Sequence, residues 1–209
     1  DRPLAQLARR HAEETETAIK DLWAEMAQRY DTAIVAGTAF VKARSGKGHG
    51  EGAQLRNRAL VFGPEGSLVY RQDKVYLTRF ERRHFGLSAG SLGAATGFRL
   101  EGLRFGLTIC RDSFFGAWEE RFSDADVWME IRANGEEYSP EVRERFRTAL
   151  AERVRRSPAG RGLSTSLTGE LLDLLWQGPA YTVDAHGRRV KESPKATGKH
   201  LMVVELGER

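Results

Sequence analysis

Alternating helix-like and strand-like segments, punctuated by glycine-rich hairpin turns, make this chain a layered α/β domain with a mixed sheet. Three features carry that reading. Residues 4–29 set Leu4, Leu7, Ala18, Ile19, Leu22 and Met26 on one stripe at helical spacing. Strand-like segments recur at 32–41, 58–62, 67–72, 105–110 and 127–131. Turn signals such as Gly63-Pro64-Glu65-Gly66 and Ala185-His186-Gly187 separate neighbouring runs as hairpins do. With 209 residues, 40% of them hydrophobic, the chain can build one sizeable core, which excludes a disordered chain or a disulfide-stapled miniprotein. One domain over residues 1–209 is expected.

Taken in order, Asp1, Arg2 and Pro3 form a start signal, so the first helix begins at once. Its polar stretch at Glu13–Thr17 is a candidate interruption. The run from Thr32 to Val41 does not alternate, as expected of a strand buried on both faces. Ser45–Gly52 is a glycine-rich loop that opens no helix, which argues against phosphate binding. Residues 73–85 are irregular and rich in charge and aromatics, and a second hairpin turns at Glu101-Gly102. Phe105–Cys110 is a buried strand ending on the cysteine, and Trp118–Phe122 reads as helix. Ser139-Pro140-Glu141 combines a hydroxyl cap, a first-turn proline and a carboxylate at the positive end of the dipole, starting a helix to about Arg156. Ser166–Trp176 is ambiguous between helix and strand, a hairpin covers 181–191, and Leu201–Leu206 is expected to be a last strand.

Composition also limits function. No apolar run reaches the roughly 18 residues a membrane span needs, and a charged start leaves no visible secretory signal, so a cytoplasmic location is expected. The net charge of +4 is thin support for nucleic-acid binding, and the arginine-rich helix beyond Ser139 has an apolar face and no reading motif. Five scattered histidines and one cysteine give no metal-ligand spacing, and no cofactor is expected.

Taken singly, the reactive residues have ordinary explanations. A lone cysteine in an apolar strand is more often core filler than catalyst, yet Cys110 stands where a strand ends, the usual place of a ligand crevice in α/β sheets. Lys74 alone reads as a solvated lysine, and Glu81, among Arg79, Arg82 and Arg83, as a surface ion-pair partner. Glu130 and Arg132 share a strand face at period two and can pair with each other or line a pocket.

In combination these segments resemble the nitrilase superfamily of carbon–nitrogen hydrolases over nearly the whole chain. The residues that carry the resemblance are Asn57-Arg-Ala-Leu-Val-Phe-Gly-Pro-Glu-Gly66, Tyr70-Arg-Gln-Asp-Lys74-Val-Tyr-Leu77, the Glu81 segment through Gly90, Gly106-Leu-Thr-Ile-Cys110-Arg-Asp112, Ala125-Asp126-Val-Trp-Met129 and Gly178-Pro-Ala-Tyr-Thr-Val-Asp-Ala-His-Gly187. The resemblance implies an α-β-β-α sandwich that dimerises and hydrolyses a non-peptide C–N bond of a small amide or nitrile through a cysteine thioester. It assigns Cys110 as nucleophile, Lys74 as the cation facing the developing oxyanion, and Glu81 as a positioning carboxylate. Arg111, Phe114, Glu130 and Arg132 are the candidate substrate-binding residues.

The family's general-base glutamate lies in a Pro-Glu motif ahead of the first long helix. No such motif precedes that helix here, and Pro64-Glu65 lies in a hairpin turn. The expectation is therefore an N-terminally incomplete chain lacking its first strand, its first helix and this base. Two departures stand out: Arg111 follows the nucleophile where an aromatic is common, and Ser113 and Phe114 stand where carbamoyl-amino-acid members carry arginines. Acyl transfer to an amine and a non-catalytic binding or assembly role remain the alternatives.

Overall fold

The structure is a computed structural model that describes residues 3–43, 53–171 and 174–206. The chain forms two compact units, Asp1–Ala95 and Thr96–Arg209.

The first unit is a helix on a sheet. Helix α1 (Pro3–Arg29) is followed by strands β1 (Ile34–Ala43), β2 (Gln54–Phe62) and β3 (Leu68–Asp73), which pair antiparallel in the order β1-β2-β3. The interruption expected at Glu13–Thr17 is absent, and α1 runs unbroken for 27 residues. Nothing in that stretch breaks a helix, since it holds neither glycine nor proline. Two apolar clusters belong to this unit. Ala27, Leu60 and Phe62 pack with Ile19, Trp23 and Ala24. Ala12, Leu55, Leu77 and Leu87 pack with Ala8, Phe40 and Phe85. Strand β1 departs from expectation, because only Ala39 and Val41 along it are buried. It is an edge strand of its sheet, so its apolar run reflects composition more than burial on two faces. The glycine-rich stretch expected at Ser45–Gly52 lies outside the described residues.

In the second unit the strands are β4 (Phe98–Leu100), β5 (Leu103–Ile109), β6 (Val127–Arg132) and β7 (Arg161–Ser166), then β8 (Gly169–Leu171), β9 (Leu174–Trp176), β10 (Tyr181–Asp184) and β11 (Arg189–Glu192). Helices α2 (Ala117–Arg121) and α3 (Pro140–Arg155) lie between β5 and β6 and between β6 and β7. Six strands form a mixed sheet ordered β11-β10-β7-β6-β5-β4. β5, β6 and β7 are mutually parallel, and the outer pairings are antiparallel. Parallel neighbours need crossover connections, which α2 and α3 supply. The α3 start is as read from sequence: Ser139 Oγ accepts the Val142 N–H at 3.3 Å and Pro140 opens the first turn. Within the ambiguous 166–176 stretch, β8 and β9 pair antiparallel as a separate two-stranded sheet.

Residues 201–206 form no strand, contrary to expectation. The segment is irregular, with Leu201 92% and Val203 73% exposed. Its carbonyls instead accept from side chains, Val203 O from Lys191 Nζ and Glu205 O from Arg161 Nη1. An apolar run becomes a strand only where a sheet edge takes its backbone groups.

Candidate active site

The first unit builds a buried cation–carboxylate pair just past the end of β3. Arg56 and Arg58 of β2 both bind Asp73, with Arg58 Nε 2.6 Å and Arg56 Nη1 3.0 Å from its carboxylate, which fixes the strand's last residue. The next residue, Lys74, donates its N–H to Asn57 O and accepts at its carbonyl from Gly90 N–H, both at 2.8 Å. A side chain at Gly90 would meet Asp73 backbone and Cβ at 2.7 Å, so glycine permits this close approach. Held on both sides, Lys74 turns inward to 3% exposure. Its Nζ donates to Glu81 Oε1 at 2.8 Å and to Oε2 at 2.9 Å.

Glu81 starts a single π-helical turn, Glu81–Phe85, that ends at Gly86 in the left-handed region at φ 63°. π-turns are rare and concentrate at functional sites. The glutamate is held by more than lysine. Thr78 N–H donates to its Oε2 at 2.7 Å, Asn57 Nδ2 to its Oε1 at 3.2 Å, and its own N–H donates to Thr78 Oγ1 at 3.1 Å. Burial by itself would push the Glu81 carboxyl up. The Lys74 charge and hydrogen bonds, with those from Thr78 and Asn57, outweigh it and hold the carboxyl below its ordinary value. The Glu81 carboxyl is therefore ionised at neutral pH.

In the second unit, Cys110 is the first residue after β5 and opens a 3₁₀ turn, Cys110–Phe114. Its φ of 52° lies in the left-handed region, which costs a residue with a side chain roughly 1–2 kcal/mol. The turn is braced from beneath. Ile109 N–H donates to buried Asp112 Oδ2 at 3.3 Å, and Ser113 Oγ pairs with Thr108 Oγ1 at 2.9 Å. Thr108 Oγ1 also accepts from Trp128 Nε1 at 3.2 Å. The half-buried Cys110 thiol donates to Ala133 O at 3.6 Å. A strained turn at a strand end with a half-buried thiol at its apex is similar in backbone to the turn called a nucleophile elbow.

The remaining candidates lie as follows. Arg111 is exposed, its guanidinium 5.8 Å from the Phe115 ring. Phe114 is half-buried and packs on Phe146 of α3, with ring centres 5.4 Å apart. Glu130 and Arg132 lie together in the core, their side chains at most 1% exposed, with Oε2 and Nη1 a loose 3.9 Å apart. Ser164 Oγ donates to Glu130 Oε2 at 2.7 Å. Arg132 donates to Ser166 Oγ and to Pro179 O, and its guanidinium lies 5.0 Å from both the Phe146 and Tyr181 rings. The pairing at period two is thus present, beneath α3 and away from solvent. Sequence reading passed over Asn57, Thr78 and Asp112. Asn57 was the legible one, as a polar residue alternating with Leu55 and Ala59 in a strand. Among the described residues no cluster of histidine, cysteine and carboxylate groups could hold a metal ion, and no helix is long and apolar enough to cross a membrane.

Comparison with known proteins then places the chain. No curated protein sequence matches it. Similar solved structures include a carbon-nitrogen hydrolase from Helicobacter pylori G27, with a TM-score of 0.70 at 18% identity over 90% of this chain and 66% of that one. Nit3 of Saccharomyces cerevisiae, a member of branch 10 of the nitrilase superfamily, has a TM-score of 0.67 at 18% identity over 87% of this chain and 62% of that one. A mutant amidase from Nesterenkonia sp. AN1 has a TM-score of 0.68 at 17% identity over 92% of this chain and 68% of that one. That amidase carries the acetamide moiety of fluoroacetamide covalently added at its active-site cysteine. At such identities these likenesses show the fold, which is of the nitrilase type that the motif order predicts. The chain spans 66% and 62% of the length of the first two. The carbon-nitrogen hydrolase family model matches residues 4–118, more than half of the chain and a stretch that includes Lys74, Glu81 and Cys110. This chain belongs to the carbon-nitrogen hydrolase family.

Proposed function

We propose that the protein hydrolyses a non-peptide C–N bond of a small amide-type substrate, with Cys110 as nucleophile, Lys74 as oxyanion-stabilising cation and Glu81 as the carboxylate that positions it. The observation that carries this reading is the left-handed backbone of Cys110 at the end of β5. A core-filling cysteine has no need of a strained turn, whereas a nucleophile uses one to present its sulfur.

In the first step the Cys110 thiol yields its proton to the general base, and Sγ forms a bond to the carbonyl carbon while the C=O electron pair moves onto oxygen. The resemblance gives Lys74 the role of the cation at that oxygen, where a fixed positive charge lowers the barrier most. Collapse restores the carbonyl, breaks the C–N bond and releases the amine with a proton, leaving a thioester. Water then adds to the thioester carbon and expels the thiolate, giving a carboxylic acid. Residues of this chain supply nucleophile and cation. The proton acceptor is the role the resemblance gives to a glutamate ahead of the first long helix. Glu81, kept ionised by its partners, holds the ammonium in place through both carboxylate oxygens.

The test is the rate of alkylation by iodoacetamide against pH, in folded and unfolded protein. The sequence has a single cysteine, so every adduct reports Cys110. Fast labelling of the folded protein with an apparent pKa well below about 8.5 is expected. Replacement of Lys74 by Met should move that value up. Labelling only after unfolding would overturn the nucleophile assignment, as would amide turnover retained by Cys110→Ala.

A further inference from the structure

We infer that Asn57 is a positioning residue that sets the Lys74–Glu81 pair, its main-chain carbonyl anchoring the lysine backbone and its side-chain amide anchoring the glutamate carboxylate. The inference rests on the reading of Lys74 and Glu81 as site groups, and it adds a residue that reading does not use. Asn57 lies in β2, the central strand of its sheet, opposite Phe40 of β1. Along β2 it alternates with Leu55 and Ala59 in a buried row, while Arg56 and Arg58 occupy the other parity and bind Asp73. A polar amide in such a row is costly unless its groups are satisfied. Asn57 is only 8% exposed, and its Oδ1 makes no hydrogen bond among the described residues. An aliphatic side chain would fit the row better on packing grounds alone.

What Asn57 does make is two bonds to two different members of the pair. Its carbonyl accepts the Lys74 N–H at 2.8 Å, one step beyond the last β2–β3 register pair, Arg58 with Asp73. Its Nδ2 donates to Glu81 Oε1 at 3.2 Å, the same oxygen that Lys74 Nζ reaches at 2.8 Å. One residue on a central strand therefore ties down both the backbone from which the ammonium springs and the carboxylate that receives it. Glu81 lies on a short π-turn outside the sheet, and this amide is its side chain's bond to a strand. A donor held in that place favours the ionised carboxylate, because it bonds better to the anion than to the acid.

The test follows two NMR titrations on the whole chain. In the wild type the Asn57 side-chain amide signals, assigned from the backbone, should shift with the same midpoint as the Glu81 carboxyl carbon. In Asn57→Ala the Glu81 midpoint should move up toward the ordinary carboxylate value, since a bond to the charged form is lost. An Asn57 amide signal that ignores the Glu81 titration would overturn the inference, as would an unchanged Glu81 midpoint in folded Asn57→Ala. If Asn57→Ala does not fold, the wild-type titration decides alone. Cys110 alkylation read in parallel separates the two readings. An ordinary thiol pKa would refute the proposed function and leave the Asn57–Glu81 bond standing.

Discussion

Cys110 carries a side chain in a backbone region that glycine occupies without penalty, and this sets up a test at a single residue. In an ordinary strand or helix, glycine is less stable than alanine by roughly 0.5–1 kcal/mol. At φ 52° that order inverts, because alanine keeps the Cβ that clashes and glycine removes it. Cys110→Gly should therefore be at least as stable as Cys110→Ala, by up to about 1 kcal/mol, in urea unfolding at neutral pH. A clearly more stable Cys110→Ala would mean that the turn relaxes once the thiol is gone. The strain would then belong to the cysteine's contacts and not to the backbone. None of this was legible in the sequence, which reads Phe105–Cys110 as a strand ending on the cysteine but does not give the sign of φ there. Lys74 and Glu81 were legible only through their resemblance to family motifs. Read alone, their charges suggest solvated side chains, and no periodicity announces that two residues seven apart will bury together.

Between elements, the order and type of most segments followed from pattern, and what the pattern lacked was a partner. The Ser-Pro-Glu start of α3 and the hairpins of β2–β3, β4–β5 and β10–β11 rest on local chemistry, and they appear as read. The 201–206 segment and the burial of β1 depend on what lies alongside, which local sequence does not encode. Gly106 in β5 shows the same dependence at closer range. A Cβ there would stand 2.7 Å from Cγ and Cδ2 of Phe122. That ring cannot retreat easily, since it stacks on Trp118 at 5.2 Å and meets Trp128 edge-on at 5.6 Å, and both tryptophans are fully buried. Gly106→Ala should thus cost about 1–3 kcal/mol by overpacking, measured by urea unfolding. A cost below about 0.5 kcal/mol would show that the Phe122 side of the sheet is loosely packed, contrary to its contacts.

Across the molecule the charges divide into a solvated majority and a few interior groups, and the two kinds have opposite consequences for stability. Pairs such as Arg147–Glu144 and Arg145–Glu136 are about half exposed or more, so each contributes little. Glu130 and Arg132 are different, being the interior link among β6, β7, β10 and α3. Burial first and the Glu130 charge next push the Tyr181 phenol up, so it stays protonated and donates to Phe146 O at 2.8 Å. Yet Glu130 Oε1 and Arg132 Nη1 each make no hydrogen bond among the described residues, and the two charges approach only to 3.9 Å. Such a pair returns little of its desolvation cost, while removing one partner strands the other. Glu130→Leu or Arg132→Met alone should lower stability by roughly 3–5 kcal/mol. The double variant should recover most of that loss, and urea unfolding of all four proteins gives the coupling directly. Additive losses in the double variant would mean that each group is held by its own polar contacts, Ser164 for the glutamate and Ser166 and Pro179 for the arginine. The ion pair would then be incidental to the core. Recovery would mean that the two charges are tolerated for each other's sake, which explains why strand β6 carries them where an apolar pair would pack as well.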